Sequence, residues 1–141
     1  MPAKAILLVE DSTADVYLIQ RAAEECGRDI QLWTTSDGAE ALKFLRKAHP
    51  LAHVPTPALI ILDLRLPKMS GTQILTEIRQ LPAYHATPII IFSRVDKEKE
   101  EASCLQLGAT AFVQKSSNFY VFFNSIKALV GRWLRSEGDR N

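Results

Sequence analysis

Short apolar runs alternate with longer segments of helical spacing along the chain, and this alternation restricts the fold more than any other feature. Runs of four or five residues rich in Ile, Leu and Val are typical of strands that are buried on both faces of a sheet. Such runs occur at Ala5–Val9, Ile30–Trp33, Ala58–Leu62, Pro88–Phe92 and Thr110–Val113. The pattern therefore predicts five strands, each followed by a helical segment.

The segments between these runs carry apolar residues that recur on one side of a helix. The first helix is marked by Val16, Ile19, Ala23 and Cys26, and Gly27 suits its end. The others are marked by Ala41, Leu42 and Leu45, by Ile74, Leu75, Ile78 and Leu81, by Asp96–Leu107, and by Phe119, Phe122, Ile126, Leu129 and Trp133. Strands that alternate with helices predict an α/β domain, a doubly wound five-stranded parallel sheet covered by five helices.

Size and charge narrow the class of protein further. A chain of 141 residues fits one domain, predicted at 1–135, with a polar C-terminal tail at 136–141. A net charge of +1 gives no reason to expect a nucleic acid or a membrane as partner. The first apolar run is too short for a signal peptide or a membrane span. Two cysteines in separate predicted helices suggest free thiols, and hence a cytoplasmic protein.

Polar side chains with related chemistry follow four of the predicted strands. In a doubly wound sheet, ligands bind beyond the carboxyl ends of the strands, where the strand order reverses. Glu10 and Asp11 follow the first strand and Asp63 the third, while Ser93 follows the fourth and Lys115 the fifth. Clustered carboxylates raise one another's pKa, and a hard divalent cation such as Mg²⁺ relieves that repulsion. The sequence therefore predicts a magnesium site at this edge of the sheet.

These groups also suit phosphoryl transfer. A carboxylate such as Asp63 can act as the nucleophile, and Lys115 and a metal ion can stabilise the transferred oxygens. Each residue alone has an ordinary alternative: Asp11 or Ser12 as a helix N-cap, Asp63 as a turn-forming residue, Lys115 as a solvated strand end. Their joint placement at the correct strand ends favours one site.

Five segments together resemble the receiver domain of two-component response regulators. They are Leu7–Asp11, Asp37–Leu42, Leu62–Gly71, Pro88–Ser93 and Gly108–Lys115, and they extend over nearly the whole chain. The resemblance implies a flavodoxin-like receiver fold and phosphorylation of Asp63 by a partner histidine kinase. It also implies functional roles for individual residues: Mg²⁺ bound by Asp11 and Asp63, by Glu10 through water and by the main-chain carbonyl of Arg65; Ser93 and Phe112 as switch residues; and Lys115 paired with the phosphate.

Finer details resemble the single-domain regulators of bacterial and cyanobacterial phytochromes, which implies a phytochrome-type light-sensing pathway. These details are a proline-bearing loop before the third strand, Lys115-Ser116 in place of the usual Lys-Pro, and an aromatic-rich last helix. The absent proline leaves open whether the peptide after Lys115 is cis, since a cis bond without proline costs about 2.5–4 kcal/mol. For Phe112, plain core packing is the alternative to a switch role.

Two arginines depart from the usual receiver pattern. Arg65 stands two residues after Asp63, where many relatives carry a smaller or neutral side chain. Arg94 replaces the small residue that is usual beside the switch hydroxyl, and it could crowd or cover the site. The hypothesis is that both arginines change the lifetime of the phosphorylated state.

The last predicted helix has an apolar arc wider than one core needs. Tyr120, Phe123, Val130 and Leu134 lie beside the predicted core stripe and suggest a partner surface, most simply a homodimer through this helix. The alternative is a helix that sinks more deeply into its own domain.

Three classes of function compete. The leading class is a phospho-switch that signals by phosphorylation-dependent association and is not an enzyme beyond slow loss of its own phosphate. Aspartyl-phosphate hydrolases commonly carry a second acid two residues after the nucleophile, where this chain has Arg65. A receiver-like scaffold or dimerisation protein that is not phosphorylated is the third class.

Overall fold

The computed structural model describes residues 4–26, 29–46 and 56–134, and these form alternating strands and helices. The strands are β1 (Lys4–Val9), β2 (Ile30–Thr35), β3 (Leu59–Leu62), β4 (Ile89–Ser93) and β5 (Ala111–Gln114). The helices are α1 (Thr13–Glu24), α2 (Gly38–Leu45), α3 (Gly71–Arg79), α4 (Lys97–Gln106) and α5 (Phe119–Trp133), with a short 3-10 helix at Pro82–Tyr84. The predicted elements therefore occur in the predicted order.

The five strands form one parallel sheet with the order β2-β1-β3-β4-β5. The predicted fold class is confirmed by this doubly wound sheet. Because β1 pairs with β2 on one side and with β3 on the other, the strand order reverses between β1 and β3. Val9 and Leu62 are paired at the carboxyl ends of these strands, so the residues that follow them meet at the switch point.

The sheet is covered by a hydrophobic core on each face. Alternate residues of β1 enter different cores: Leu7 and Val9 pack with residues of α2 and α3, whereas Ile6 and Leu8 pack with residues of α1 and α5. β1, β3 and β4 are therefore almost wholly buried. The expectation that every strand is buried on both faces is wrong for β2 and β5, since these edge strands keep several exposed or half-buried residues.

Helix α5 differs from the sequence prediction at both ends. Val130 is fully buried and Leu134 is 1% exposed, so neither belongs to a partner surface. Val130 follows Ile126 by four residues and shares its core-facing side, which corrects the predicted boundary between the stripe and the adjacent face. Phe119, predicted on the core stripe, is 51% exposed. The helix thus sinks into the domain at its C-terminal end and rises from it at its N-terminal end.

Three sequence-based predictions lie outside the described residues: a helix end at Gly27, most of the proline-bearing loop at 49–57, and the polar tail at 136–141. Among the residues that are described, no helix has the length and apolar character needed to cross a membrane.

Candidate functional site

Three carboxylates converge at the switch point between β1 and β3. Glu10 is anchored by its backbone N–H, which donates to the carbonyl of Thr35, and Asp63 by its N–H, which donates to the carbonyl of Val9. Glu10, Asp11 and Asp63 each place one carboxylate oxygen within 4.8 Å of the others. Glu10 and Asp63 are buried and Asp11 is exposed. The cluster is therefore open to solvent on the side of Asp11.

Asp63 is the most fully engaged of these acids. Ser93 Oγ donates to Asp63 Oδ1 at 2.6 Å, and the backbone N–H of Arg65 donates to the same oxygen at 3.1 Å. Lys115 Nζ donates to Oδ2 at 2.9 Å. Burial alone would raise the pKa of Asp63, but the hydrogen bonds from Ser93 and Lys115 outweigh burial and lower it. The carboxylate is therefore held ionised, as a nucleophile must be.

Lys115 links the acids of the site through its ammonium group. Its Nζ lies 2.5 Å from Glu10 Oε1 and 2.9 Å from both Asp63 Oδ2 and Asp15 Oδ2. The side chain is 1% exposed. Burial alone would lower the pKa of Lys115, but its bonds to the three carboxylates raise it. Lys115 therefore remains charged despite complete burial.

Asp15 is a member of this network that sequence reasoning missed. Its carboxylate accepts from Lys115 and also from both terminal nitrogens of Arg94, at 2.7 and 3.2 Å. Burial alone would raise the pKa of Asp15, but the bonds from Arg94 and Lys115 lower it. One signal was available: Asp15 precedes Ile19 by four residues and so lies on the buried stripe of α1, where an unpaired carboxylate would be unfavourable.

The N-terminus of α1 shows which residue is the N-cap, for which Asp11 and Ser12 were the candidates. Ser12 is the N-cap residue, and its Oγ accepts from the backbone N–H of Asp15. Glu10 Oε2 accepts from the N–H of Ser12 at 3.1 Å. The carboxylate of Asp11 is therefore not required as the cap and lies with the metal-ligand candidates.

The electrostatics of the site favour a divalent cation. Burial raises the pKa of Glu10 to about 7, although Lys115 opposes the effect. Four acids and two bases leave a net formal charge of −2 when all are ionised; they are Glu10, Asp11, Asp15, Asp63, Lys115 and Arg94. Oxygen ligands with an excess of negative charge fit a hard cation such as Mg²⁺ or Mn²⁺.

The turn after β3 holds Asp63 against the start of α3. The N–H of Gly71 donates to the carbonyl of Leu64 at 3.0 Å. A Cβ at Gly71 would lie 2.4 Å from Leu64 Cα and 2.6 Å from the carbonyl oxygen of Asp63. Only glycine permits this approach, so Gly71 helps to fix the backbone of the phosphoacceptor candidate.

Three further side chains and one peptide bond were considered in the sequence-based prediction of the site. Phe112 is 3% exposed and belongs to the core beside α2 and α3, as its packing alternative requires. The peptide between Lys115 and Ser116 is trans, because the described chain contains no cis bond. Arg65 has an exposed side chain. The guanidinium group of Arg94 donates to the carboxylate of Asp15 and lies over the ring of Phe122, with its central carbon 5.8 Å from the ring centre.

Comparison with known proteins finds relatives that match nearly the whole chain. Residues 6–127 match the family model described as the response regulator receiver domain. Response regulator Rcp1 of Synechocystis sp. (strain ATCC 27184 / PCC 6803 / Kazusa) is 33% identical over 135 residues, covering 96% of this chain and 92% of that protein.

Two solved structures are also similar. The phosphorylated cyanobacterial phytochrome response regulator RcpA is 34% identical with a TM-score of 0.89, over 94% of this chain and 95% of that one. The Mn²⁺-bound form of Rcp1 is 33% identical with a TM-score of 0.87, over 94% and 96% of the two chains. Because the family model matches residues 6–127, which are most of the chain, this chain belongs to the response regulator receiver domain family.

Proposed function

We propose that this protein accepts a phosphoryl group on Asp63 from a partner sensor histidine kinase and acts as a phospho-switch. The observation that carries the proposal is the environment of Asp63: a buried, ionised carboxylate held by Ser93 on one oxygen and by Lys115 on the other. Such a group is a competent nucleophile in a site built to stabilise added negative charge.

The chemistry follows from these contacts. An oxygen of Asp63 attacks the phosphorus atom, a new P–O bond forms, and the bond to the leaving group breaks with its electron pair. Lys115 supplies positive charge to the transferred oxygens, and Ser93 supplies a hydroxyl donor at the same edge. The product is an aspartyl phosphate, and loss of phosphate to water returns the carboxylate.

A divalent cation is part of this proposal, with Asp11 and Asp63 as direct ligands, Glu10 acting through water, and the main-chain carbonyl of Arg65 as a further ligand. When bound, the ion would supply positive charge beside the transferred group. Mg²⁺ is proposed because it keeps waters that phosphate oxygens can replace. Support comes from the three converging carboxylates and from the Mn²⁺-bound form of the relative Rcp1.

Incubation with acetyl phosphate and Mg²⁺, followed by intact-mass measurement, tests the class of function. We expect the mass to increase by one phosphoryl group and to return slowly to its starting value. No increase would favour the unphosphorylated scaffold, and sustained catalytic release of phosphate would favour an enzyme.

The pathway is proposed from the relatives. RcpA is named as a cyanobacterial phytochrome response regulator, and its structure covers 94% of this chain. We therefore propose a phytochrome-type histidine kinase as the partner, a cytoplasmic location, and a receiver domain at 1–135. Phosphotransfer from a purified phytochrome-type kinase to this protein tests the assignment of the partner.

The output is proposed to be a homodimer through the N-terminal half of α5. Phe119, Tyr120 and Val121 are 51%, 73% and 55% exposed, and Phe123 is half-buried with its ring stacked on Phe119. We call Phe119, Tyr120 and Phe123, in which the ring of Phe119 contacts the other two, the α5 aromatic patch. Large apolar side chains grouped on one surface are typical of an association site. Tyr120 and Phe123 thus retain the role predicted from the sequence, without Val130 and Leu134.

Replacing Phe119 and Tyr120 by Ser is expected to weaken self-association of the phosphorylated protein by at least about tenfold, since exposed aromatic anchors dominate such interfaces. Light scattering over a concentration series measures the effect. Tyr17→Ser is the matched control, because Tyr17 is 57% exposed on α1. A parent protein that stays monomeric at high concentration, with and without phosphorylation, would contradict the proposal.

A further inference from the structure

Asp15 is shared by two cations, and the sharing is unequal. Arg94 contacts both of its oxygens, whereas Lys115 contacts Oδ2 alone. The Asp15 side chain is 5% exposed and the Arg94 side chain 51%. A buried carboxylate is therefore held by an arginine that reaches it from the surface.

The ammonium of Lys115 has no spare donor. It carries three N–H groups, and each already has a carboxylate partner, on Glu10, Asp15 or Asp63. A phosphoryl group on Asp63 would bring further oxygens beside the ammonium. Lys115 can donate to one of them only if it releases, or shares, one of its present partners.

Of the two partners that are not phosphorylated, Asp15 is the one that Lys115 can release more easily. Removing the only cation beside a buried carboxylate costs a large amount of free energy, whereas the cost is small if a second cation remains. Glu10 contacts no cation other than Lys115 in the described structure, its remaining bond is from the backbone N–H of Ser12, and the proposed Mg²⁺ would reach it only through water. Asp15 keeps a bidentate bond to Arg94, which is the strongest geometry for such a pair.

We propose that Arg94 is a positioning residue that frees Lys115 for the phosphoryl group. On phosphorylation of Asp63, Lys115 Nζ moves from Asp15 Oδ2 to a phosphoryl oxygen, and Arg94 alone retains Asp15. The inference rests on the proposed function, since it requires Asp63 to be the acceptor. It also predicts the opposite effect on the phosphorylation rate from the hypothesis that Arg94 covers the site. If Arg94 were a cover, its removal would make phosphorylation faster.

The test measures the initial rate of phosphorylation by acetyl phosphate with Mg²⁺. In this reaction Asp63 gains the phosphoryl group and acetate leaves with the electron pair of the broken bond. Without Arg94, Lys115 is the only cation left for Asp15, so Arg94→Ala is expected to react about tenfold more slowly. Arg94→Lys is expected to recover part of the rate. Arg46→Ala is the control, because Arg46 is an exposed arginine that forms an ion pair with Glu77 on α3, at 3.7 Å.

A double-mutant cycle distinguishes this role from general damage. In an Asp15→Asn background residue 15 no longer carries the carboxylate that competes for Lys115, so adding Arg94→Ala is expected to change the rate less than about twofold. Calorimetry of Mg²⁺ binding gives a second readout. Because Arg94→Ala makes the site more negative, its Mg²⁺ affinity is expected to equal or exceed that of the parent.

Three results would overturn the inference while leaving the acceptor role of Asp63 intact: Arg94→Ala reacting as fast as the parent or faster, equal slowing in both backgrounds, or Mg²⁺ binding weakened together with the rate. A parent protein that gains no phosphoryl mass would instead overturn the proposed function, and the inference with it.

Discussion

Replacement of Asp63 by Asn is expected to abolish phosphoryl acceptance, both from acetyl phosphate and from a histidine kinase. The amide has nearly the shape of the carboxylate, so Ser93 Oγ and the N–H of Arg65 can still bond to its oxygen. It lacks the ionised oxygen that attacks phosphorus, and it also removes one of the three candidate metal ligands. We therefore expect no phosphoryl mass gain in a preparation that remains folded.

The control for this variant is Asp29→Asn, which alters an exposed carboxylate just before β2. It is expected to gain the same phosphoryl mass as the parent at the same rate. A mass gain that persists in Asp63→Asn would show that another acid accepts the phosphoryl group. Glu10 is the nearest buried candidate, but burial raises its pKa to about 7, so a smaller fraction of it is ionised than of Asp63, whose pKa is lowered.

The sheet was predictable because its central strands are governed by a local pattern. β1, β3 and β4 are buried on both faces, and continuous apolar runs report that burial directly. The edge strand β2 begins at the predicted residue but extends beyond the apolar run through Thr34, which is exposed, and Thr35, which is buried. An apolar run cannot indicate these polar positions. Strand ends at the switch point were thus located well, and with them the candidate residues of the site.

Helix α5 shows where a local pattern is insufficient. A wide apolar arc is compatible with deep burial or with a partner surface, since both need apolar side chains. The structure has both, separated along the helix rather than around it. Phe119 and Tyr120 are exposed near the beginning, whereas Val130 is buried near the end. This division depends on how the helix packs against α1 and the sheet. The spacing of apolar residues within α5 cannot predict that packing.

The Arg94–Asp15 pair shows a second limit. The two residues are separated by 79 positions, and Lys115 lies 100 positions from Asp15. Each cation looked locally like an isolated charge next to a strand end. Only the packing of α1 against α5 and the sheet brings Arg94, after β4, and Lys115, after β5, to the one carboxylate of Asp15. Charge pairs of this kind follow from tertiary structure, although an acid on an apolar stripe could have signalled that a partner exists.

Replacement of Lys115 by Met should have the largest combined effect on activity and stability. Methionine keeps most of the volume of the side chain but removes the ammonium, so Glu10 and Asp63 lose their cation while Asp15 keeps Arg94. Loss of a preorganised charge beside the transferred oxygens is expected to slow phosphorylation by about 100-fold or more. Without Mg²⁺, loss of one partner from a buried ionic network is expected to reduce the free energy of unfolding by about 3–5 kcal/mol.

The pH dependence of stability tests the cause of that loss. Buried acids without a cation have a raised pKa in the folded state, so the folded variant binds more protons than the unfolded chain. Its free energy of unfolding should therefore rise as the pH is lowered from about 8 to about 5, and more steeply than that of the parent. In the parent, Lys115 counters this effect at Asp63, whose pKa is lowered.

Magnesium supplies the complementary test of the same variant. A divalent cation at Glu10, Asp11 and Asp63 would replace the missing positive charge, so Mg²⁺ should restore more stability to Lys115→Met than to the parent. Denaturant unfolding with and without Mg²⁺ measures this difference, and Lys99→Met, on the exposed side of α4, is the matched control. If the variant were as stable as the parent at every pH, the Lys115 network would contribute no net stability, and its function would be confined to the phosphoryl group.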